Sequence, residues 1–177
     1  MSDLRFPIGP FVFDQDAEVT PAQRGAWIEA IAVAPRRLRE AVRGLSDARL
    51  DTPYRPGGWT VRQVVHHLPD SHLNAYLRLK LALTEDTPTI KPYDEARWAE
   101  LPDSRESPEV SLALLDALHQ RWVALLRSLG PADFGRTFYH PESKVRFTLD
   151  RQLAMYAWHG RHHVAHISSL RAREGWT

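Results

Sequence analysis

Four stretches of this chain open on residues that start helices, and together they leave little room for any fold but a helical bundle. Thr20 precedes Pro21, and Ser107 precedes Pro108. In both places a hydroxyl suited to capping stands before a proline at the first helical position, where a missing N–H costs nothing. Thr60 and Gln63 form a T-x-x-Q capping box, and Thr148 can cap a fourth segment. The spacing predicts helices from Pro21 to about Leu45, from Thr60 to about Leu83, over about 108–129, and from Thr148 to about Glu174. Gly130-Pro131 ends the third and Gly175 the fourth. Pro35 should kink or split the first helix, and Pro69 should bend the second.

Between these segments the chain is irregular. Residues 1–19 carry Pro7, Gly9 and Pro10 and read as extended, and TPYRPGG (52–58) is a loop. Residues 84–106 form a long connection with room for a short helix around Asp94 to Leu101. Residues 136–148 alternate about a P-E-S-K turn and predict a small hairpin before the last helix. The expected fold is all-α, a four-helix bundle, as one domain spanning residues 1–177. The long connection between the second and third helices would let them run parallel.

Composition narrows the function. A net charge of +1 gives no electrostatic reason to expect nucleic acid or an anionic membrane. Arg36, Arg37, Arg39 and Arg43 read as a solvated helix face. No run is apolar enough to span a bilayer, and the N-terminus lacks the pattern of a signal peptide, so the expected location is cytoplasmic. With no cysteine, the chain has neither a disulfide nor a thiolate ligand of its own. Any metal must rely on histidine, carboxylate and water, and any thiol chemistry on a substrate.

Four of the nine histidines fall in the run WHGRHHVAH: His159, His162, His163 and His166. A second group, HHLPDSH, holds His66, His67 and His72. Neutral imidazole is a ligand for zinc, nickel and related ions. At about 100° per residue, Leu149, Leu153, Tyr156, Ala157, Val164 and Ile167 define the apolar face of the last helix. His163 lies nearest that face and His159 at its edge, so 159/163 is the favoured pair at i, i+4. His162 points furthest away and is expected in solvent or behind the ligands.

On the second helix His72 sits amid the core face set by Val61, Val65, Leu68, Ala75 and Leu79. His67 aligns instead with a polar seam of Ser71, Asn74 and Arg78. His72 reads as a hydrogen-bonded core residue and His67 as a pocket residue, and periodicity does not choose between them as ligand. His119 reads as core or pocket wall, and His140 as a turn residue. The run is not a zincin motif, since Gly160 stands where that motif has glutamate. Asp70 is the acid best placed to handle protons, though an exposed helix position is the plainer reading.

The stretches GGWTVRQVVHHLPDSHLNAYLRLKLALTE, KPYDEARW, LHQRWVALLRSL, FYHPES and YAWHGRHHVAHISSLRAREGW together resemble the DinB/YfiT-like metalloprotein superfamily. The resemblance runs from Phe6 to Trp176 and is nearest to the YfiT branch, described as candidate metal-dependent hydrolases. Relatives include bacillithiol S-transferases. The resemblance implies an up-down-down-up bundle, a homodimer, and one divalent metal per chain, zinc or nickel foremost, on His67, His159 and His163. Pro69 departs from the family, which more often has a small residue there.

Three neutral imidazoles leave a divalent ion its full charge and an open position. Such an ion can acidify water for hydrolysis or deprotonate a thiol. The expected function is a metal-dependent hydrolase acting on a small-molecule substrate. The alternatives are S-transfer from a low-molecular-weight thiol such as bacillithiol, and a non-catalytic, metal-stabilised dimeric protein.

Overall fold

The computed structural model describes residues 3–176. Four long helices carry it: α1 (Pro21–Val42), α3 (Val61–Thr84), α5 (Pro108–Ser128) and α6 (Leu149–Arg173). Two single-turn helices, α2 (Asp47–Leu50) and α4 (Glu95–Trp98), sit in the connections, and a two-stranded antiparallel hairpin, β1 (Thr137–His140) and β2 (Val145–Thr148), leads into α6.

The helix starts follow the expected capping chemistry. Thr60 and Gln63 close a reciprocal capping box, and Thr20 forms a second one with Gln23. Ser107 and Thr148 accept from Glu109 N and Arg151 N. The first helix stops at Val42 rather than near Leu45, and Gly44 follows with φ +76°. Pro35 does not split α1, and α3 likewise continues through Pro69. Each proline is buried, and the packing of its helix in the bundle holds the helical path despite the lost hydrogen bond.

Side-chain pairs fix the topology. Arg24 meets Asp150 at the starts of α1 and α6, and Arg171 reaches the carbonyl of Ala41 at their ends, so these helices are parallel. His66 with Ser111 and His72 with His119 make α3 and α5 parallel. Arg39 with Glu109 and Glu29 with Arg127 make α1 and α5 antiparallel. His72 with His159, and Gln152 with the Ala75 carbonyl, do the same for α3 and α6. The order is up-down-down-up. The long connection that returns the chain for a parallel α5 also pairs with the hairpin, through Tyr139 N to Pro88 O (2.9 Å) and Ile90 N to Tyr139 O (3.0 Å).

Two apolar clusters fill the bundle. One gathers Ile31, Ala75, Leu79, Trp122, Tyr156 and the paired Phe138 and Phe147 near the hairpin. The other gathers Leu38, Val65, Leu68, Leu115 and Ile167 at the opposite end. His72 on α3 and His159 and His163 on α6 fall between these clusters, and His119 on α5 joins them from the edge of the first. A polar layer therefore crosses the middle of an otherwise apolar bundle. Among the described residues, no helix is long and apolar enough to cross a membrane.

Candidate metal centre

His67, His159 and His163 converge in that layer. Each offers one ring nitrogen, and the three atoms lie within 4.8 Å of one another. The Nε2 atoms of His67 and His159 are 3.3 Å apart. Two nitrogens bound tetrahedrally at about 2.0–2.1 Å from one ion would stand about 3.3–3.4 Å apart, so the spacing fits a shared cation. His67 and His163 are buried and His159 is partly so.

Burial lowers the pKa of all three, with His67 brought to about 4, and their mutual proximity lowers His159 and His163 further. At neutral pH the cluster is uncharged and rich in lone pairs. The buried Nδ1 of His163 has no hydrogen-bond partner. These residues fit a divalent metal that prefers imidazole.

Helical geometry brings them together. His159 and His163 are one turn apart on α6 and face α3, where His67 lies beside them. Trp59, in the loop before α3, packs its ring 4.7 Å from that of His67 and 6.5 Å from that of His163. Trp59 also lines an open groove of about 1010 Å³ with Gly57, Gly58, Gln63, Asp94, Arg97 and Trp98. The indole thus stands between the groove and the imidazoles.

The remaining histidines have distinct surroundings. His72 is fully buried, as its place on the core face of α3 predicts, and bonds to His119 and His159. His119 is buried and bonds to Ile31 O. His66 Nε2 donates to Glu106 O, leaving Nδ1 to accept from Ser111 Oγ at 2.7 Å. His140 ends β1 at the hairpin turn. His166 donates to Arg5 O and stacks on Tyr54.

Of the two places expected for His162, solvent or behind the ligands, the structure rules out the first: it is 7% exposed, with its ring 5.1 Å from that of His163. The N-terminal segment lies over α6, with Phe6 against the His162 ring and Trp158 Nε1 donating to Gly9 O. Helical periodicity places His162 off the bundle core, but it cannot anticipate a cover supplied by residues 3–13. His162 also stacks on Trp158, with ring centroids 4.2 Å apart.

Asp70 is half-buried rather than exposed. Burial, reinforced by Asp103, pushes its carboxyl up to about 6. In the seam beyond it, Ser71 Oγ donates to Tyr156 Oη at 3.5 Å, and Asn74 turns back to the Asp70 carbonyl. Sequence reading missed Trp59, whose aromatic ring beside a glycine pair was the available signal. It also missed the link between His72 and His119, which lie on different helices.

An up-down-down-up bundle with three histidines meeting between antiparallel helices defines a class of helical protein with a candidate metal centre. The chain belongs to the DinB superfamily, whose family model matches residues 30–167. It is 56% identical to a "putative metal-dependent hydrolase" of Bacillus mycoides strain KBAB4, over 99% of this chain and all of that protein. It is 51% identical to the YfiT protein of Bacillus subtilis strain 168, of the same named class, over 99% of this chain and 98% of that one. A solved YfiT structure superposes with a TM-score of 0.95 at 51% identity, covering 98% of this chain and 99% of that chain. That protein is described as a probable metal-dependent hydrolase with an unusual four-helix bundle topology.

Proposed function

We propose that the chain is a metal-dependent hydrolase of a small-molecule substrate, with one divalent ion, zinc or nickel, held by His67, His159 and His163. The observation that carries this reading is the meeting of three uncharged ring nitrogens within 4.8 Å. The names of the relatives support it. When bound, such an ion supplies Lewis acidity enough to bring the pKa of water from about 15.7 to about 7.

The chain's own groups do the rest. His67 from α3 clamps the centre against His159 and His163 from α6, so the ligand set depends on the packing of two antiparallel helices. Asp70, three residues beyond His67, has a carboxyl that titrates at about 6. A carboxyl with that pKa is suited to taking or returning a proton near neutral pH. Trp59 screens the cluster on the groove side, and the groove is where a small substrate approaches. Exposed Leu73 and Leu77 on α3, with Val110 and Leu114 on α5, support a homodimer through that side of the bundle.

The test is turnover by zinc- and nickel-loaded protein on a panel of small esters, amides and thiol-reactive electrophiles. Water-dependent cleavage that is lost in His67→Ala supports the proposal. Thiol consumption with no hydrolysis would assign the centre to S-transfer instead. Full metal loading with no turnover of either kind would favour a structural ion.

A further inference from the structure

The hydrogen bonds behind the candidate centre form one directed chain. It starts at Pro35 in the interior of α1. A proline has no N–H, so the carbonyl four residues earlier, that of Ile31, loses its helical partner. That carbonyl is met instead by His119 Nδ1 at 2.7 Å, from α5. His119 Nε2 faces His72 Nδ1 at 2.7 Å, and His72 Nε2 faces His159 Nδ1 at 3.1 Å. His159 then turns its Nε2 to the cluster.

The direction follows from one fact: a carbonyl oxygen only accepts. His119 must therefore carry its proton on Nδ1. A neutral imidazole has a single N–H, which leaves His119 Nε2 bare, and His72 must donate to it from Nδ1. His72 Nε2 is then bare and accepts from His159 Nδ1–H. The lone pair of His159 is left on Nε2, the atom 3.3 Å from His67 Nε2. The rings are neutral by position: His72 and His119 are buried, and the relay's hydrogen-bond partners are imidazoles and a carbonyl, with no carboxylate among them to hold a second proton.

We propose that His72 and His119 are positioning residues that hold His159 as its Nδ1–H tautomer, so that Nε2 is presented bare to the metal, with the Pro35-freed carbonyl of Ile31 as the anchor. The inference rests on the three-histidine centre proposed above. Ligand histidines commonly fix their tautomer through a partner on the second nitrogen, and loss of such partners costs about 10–100-fold in metal affinity. Here the partner is a relay of two imidazoles, one on α3 and one on α5, that ends on the backbone of α1. The relay also supplies hydrogen bonds that the polar layer needs between its two apolar clusters.

The first readout needs no variant. Long-range 1H–15N correlation spectra of the full chain, zinc-loaded and after metal removal, report which nitrogen of each histidine carries the proton. The expected result is Nδ1–H at His72, His119 and His159 in the metal-free protein, and Nδ1–H retained at His159 with zinc bound. A proton on His159 Nε2 in the metal-free protein overturns the proposal.

The second readout is zinc affinity, by competition with a chromophoric chelator. His119→Gln keeps an acceptor for His72 and should stay within a few-fold of wild type. His119→Phe fills the space without an acceptor and should lose about 10–100-fold. Equal losses in the two variants would reduce His119 to a packing residue. Zinc binding that fails in His67→Ala yet leaves the tautomers as stated supports both readings. The stated tautomers in a wild type that binds no metal would keep the relay and remove the centre.

Discussion

The Nε2 atoms of His67 on α3 and His159 on α6 stand 3.3 Å apart, the separation of two ligands on one tetrahedral ion. Two neutral ring nitrogens at that distance share either a proton or a cation. His67→Ala, His159→Ala and His163→Ala should each lower metal affinity by more than about 100-fold, exceeding the loss from outer partners. His162→Ala should keep the metal, since its ring packs on Phe6 and Trp158 under the N-terminal segment. Isothermal titration with zinc checks both, and loss of binding in His162→Ala with retention in His159→Ala would reverse the assignment on α6.

The metal-free protein should be sensitive to acid. Every one of the nine histidines has a pKa lowered by burial, with His67, His119 and His162 at about 4. In the unfolded chain these groups take up protons near 6.5. The unfolded state therefore binds more protons between about pH 6.5 and 4, and stability falls as pH drops through that window. Urea denaturation at pH 7.5, 6 and 5 should show a progressive loss, and a flat profile would contradict the burial of the imidazoles.

Asp70 contributes with the opposite sign. Burial pushes its carboxyl up to about 6, above the ordinary 3.8, so the folded state holds the proton more tightly. This contribution stabilises below about pH 4 and is lost as pH rises through 6. Asp70→Asn should therefore gain stability relative to wild type between pH 4 and pH 7, by about 1–2 kcal/mol after solvent screening. If Asp70 handles the proton in turnover, the same variant should also erase the limb near pH 6 from the pH–rate profile.

Arg24 and Asp150 tie the starts of α1 and α6 with two bonds of 2.7 Å, largely shielded from water. Removing one partner leaves a poorly hydrated charge. Arg24→Ala should cost about 2 kcal/mol, between the exposed and fully buried cases, as read from the chemical denaturation midpoint. Arg39→Ala should cost little, because its pair with Glu109 is exposed.

Much of the fold was legible because its determinants are local. Caps at Thr20, Thr60, Ser107 and Thr148, and a turn over Pro141 to Lys144, mark the ends of elements wherever the chain goes next. The pair His159 and His163 was legible for the same reason, since one helical turn relates them. The rest depends on what lands on a helix from outside. His162 is buried because Phe6, far away in sequence, folds over it, and no periodicity within α6 encodes that. Periodicity placed His72 inward, where it is fully buried; His67, placed off the core face, is buried too, because it lies at the seam where α3 meets α6. Pro35 read as a kink or split in α1, yet its effect lies at Ile31, whose freed carbonyl takes up His119. The choice of His67 as third ligand came from resemblance and not from spacing.

The most direct test is elemental analysis of the untagged protein and its His67→Ala variant, each grown with ample zinc and nickel. About one divalent ion per wild-type chain, absent from the variant, is the predicted result. Wild-type protein without metal, or a variant that keeps a full ion, would contradict the three-histidine centre.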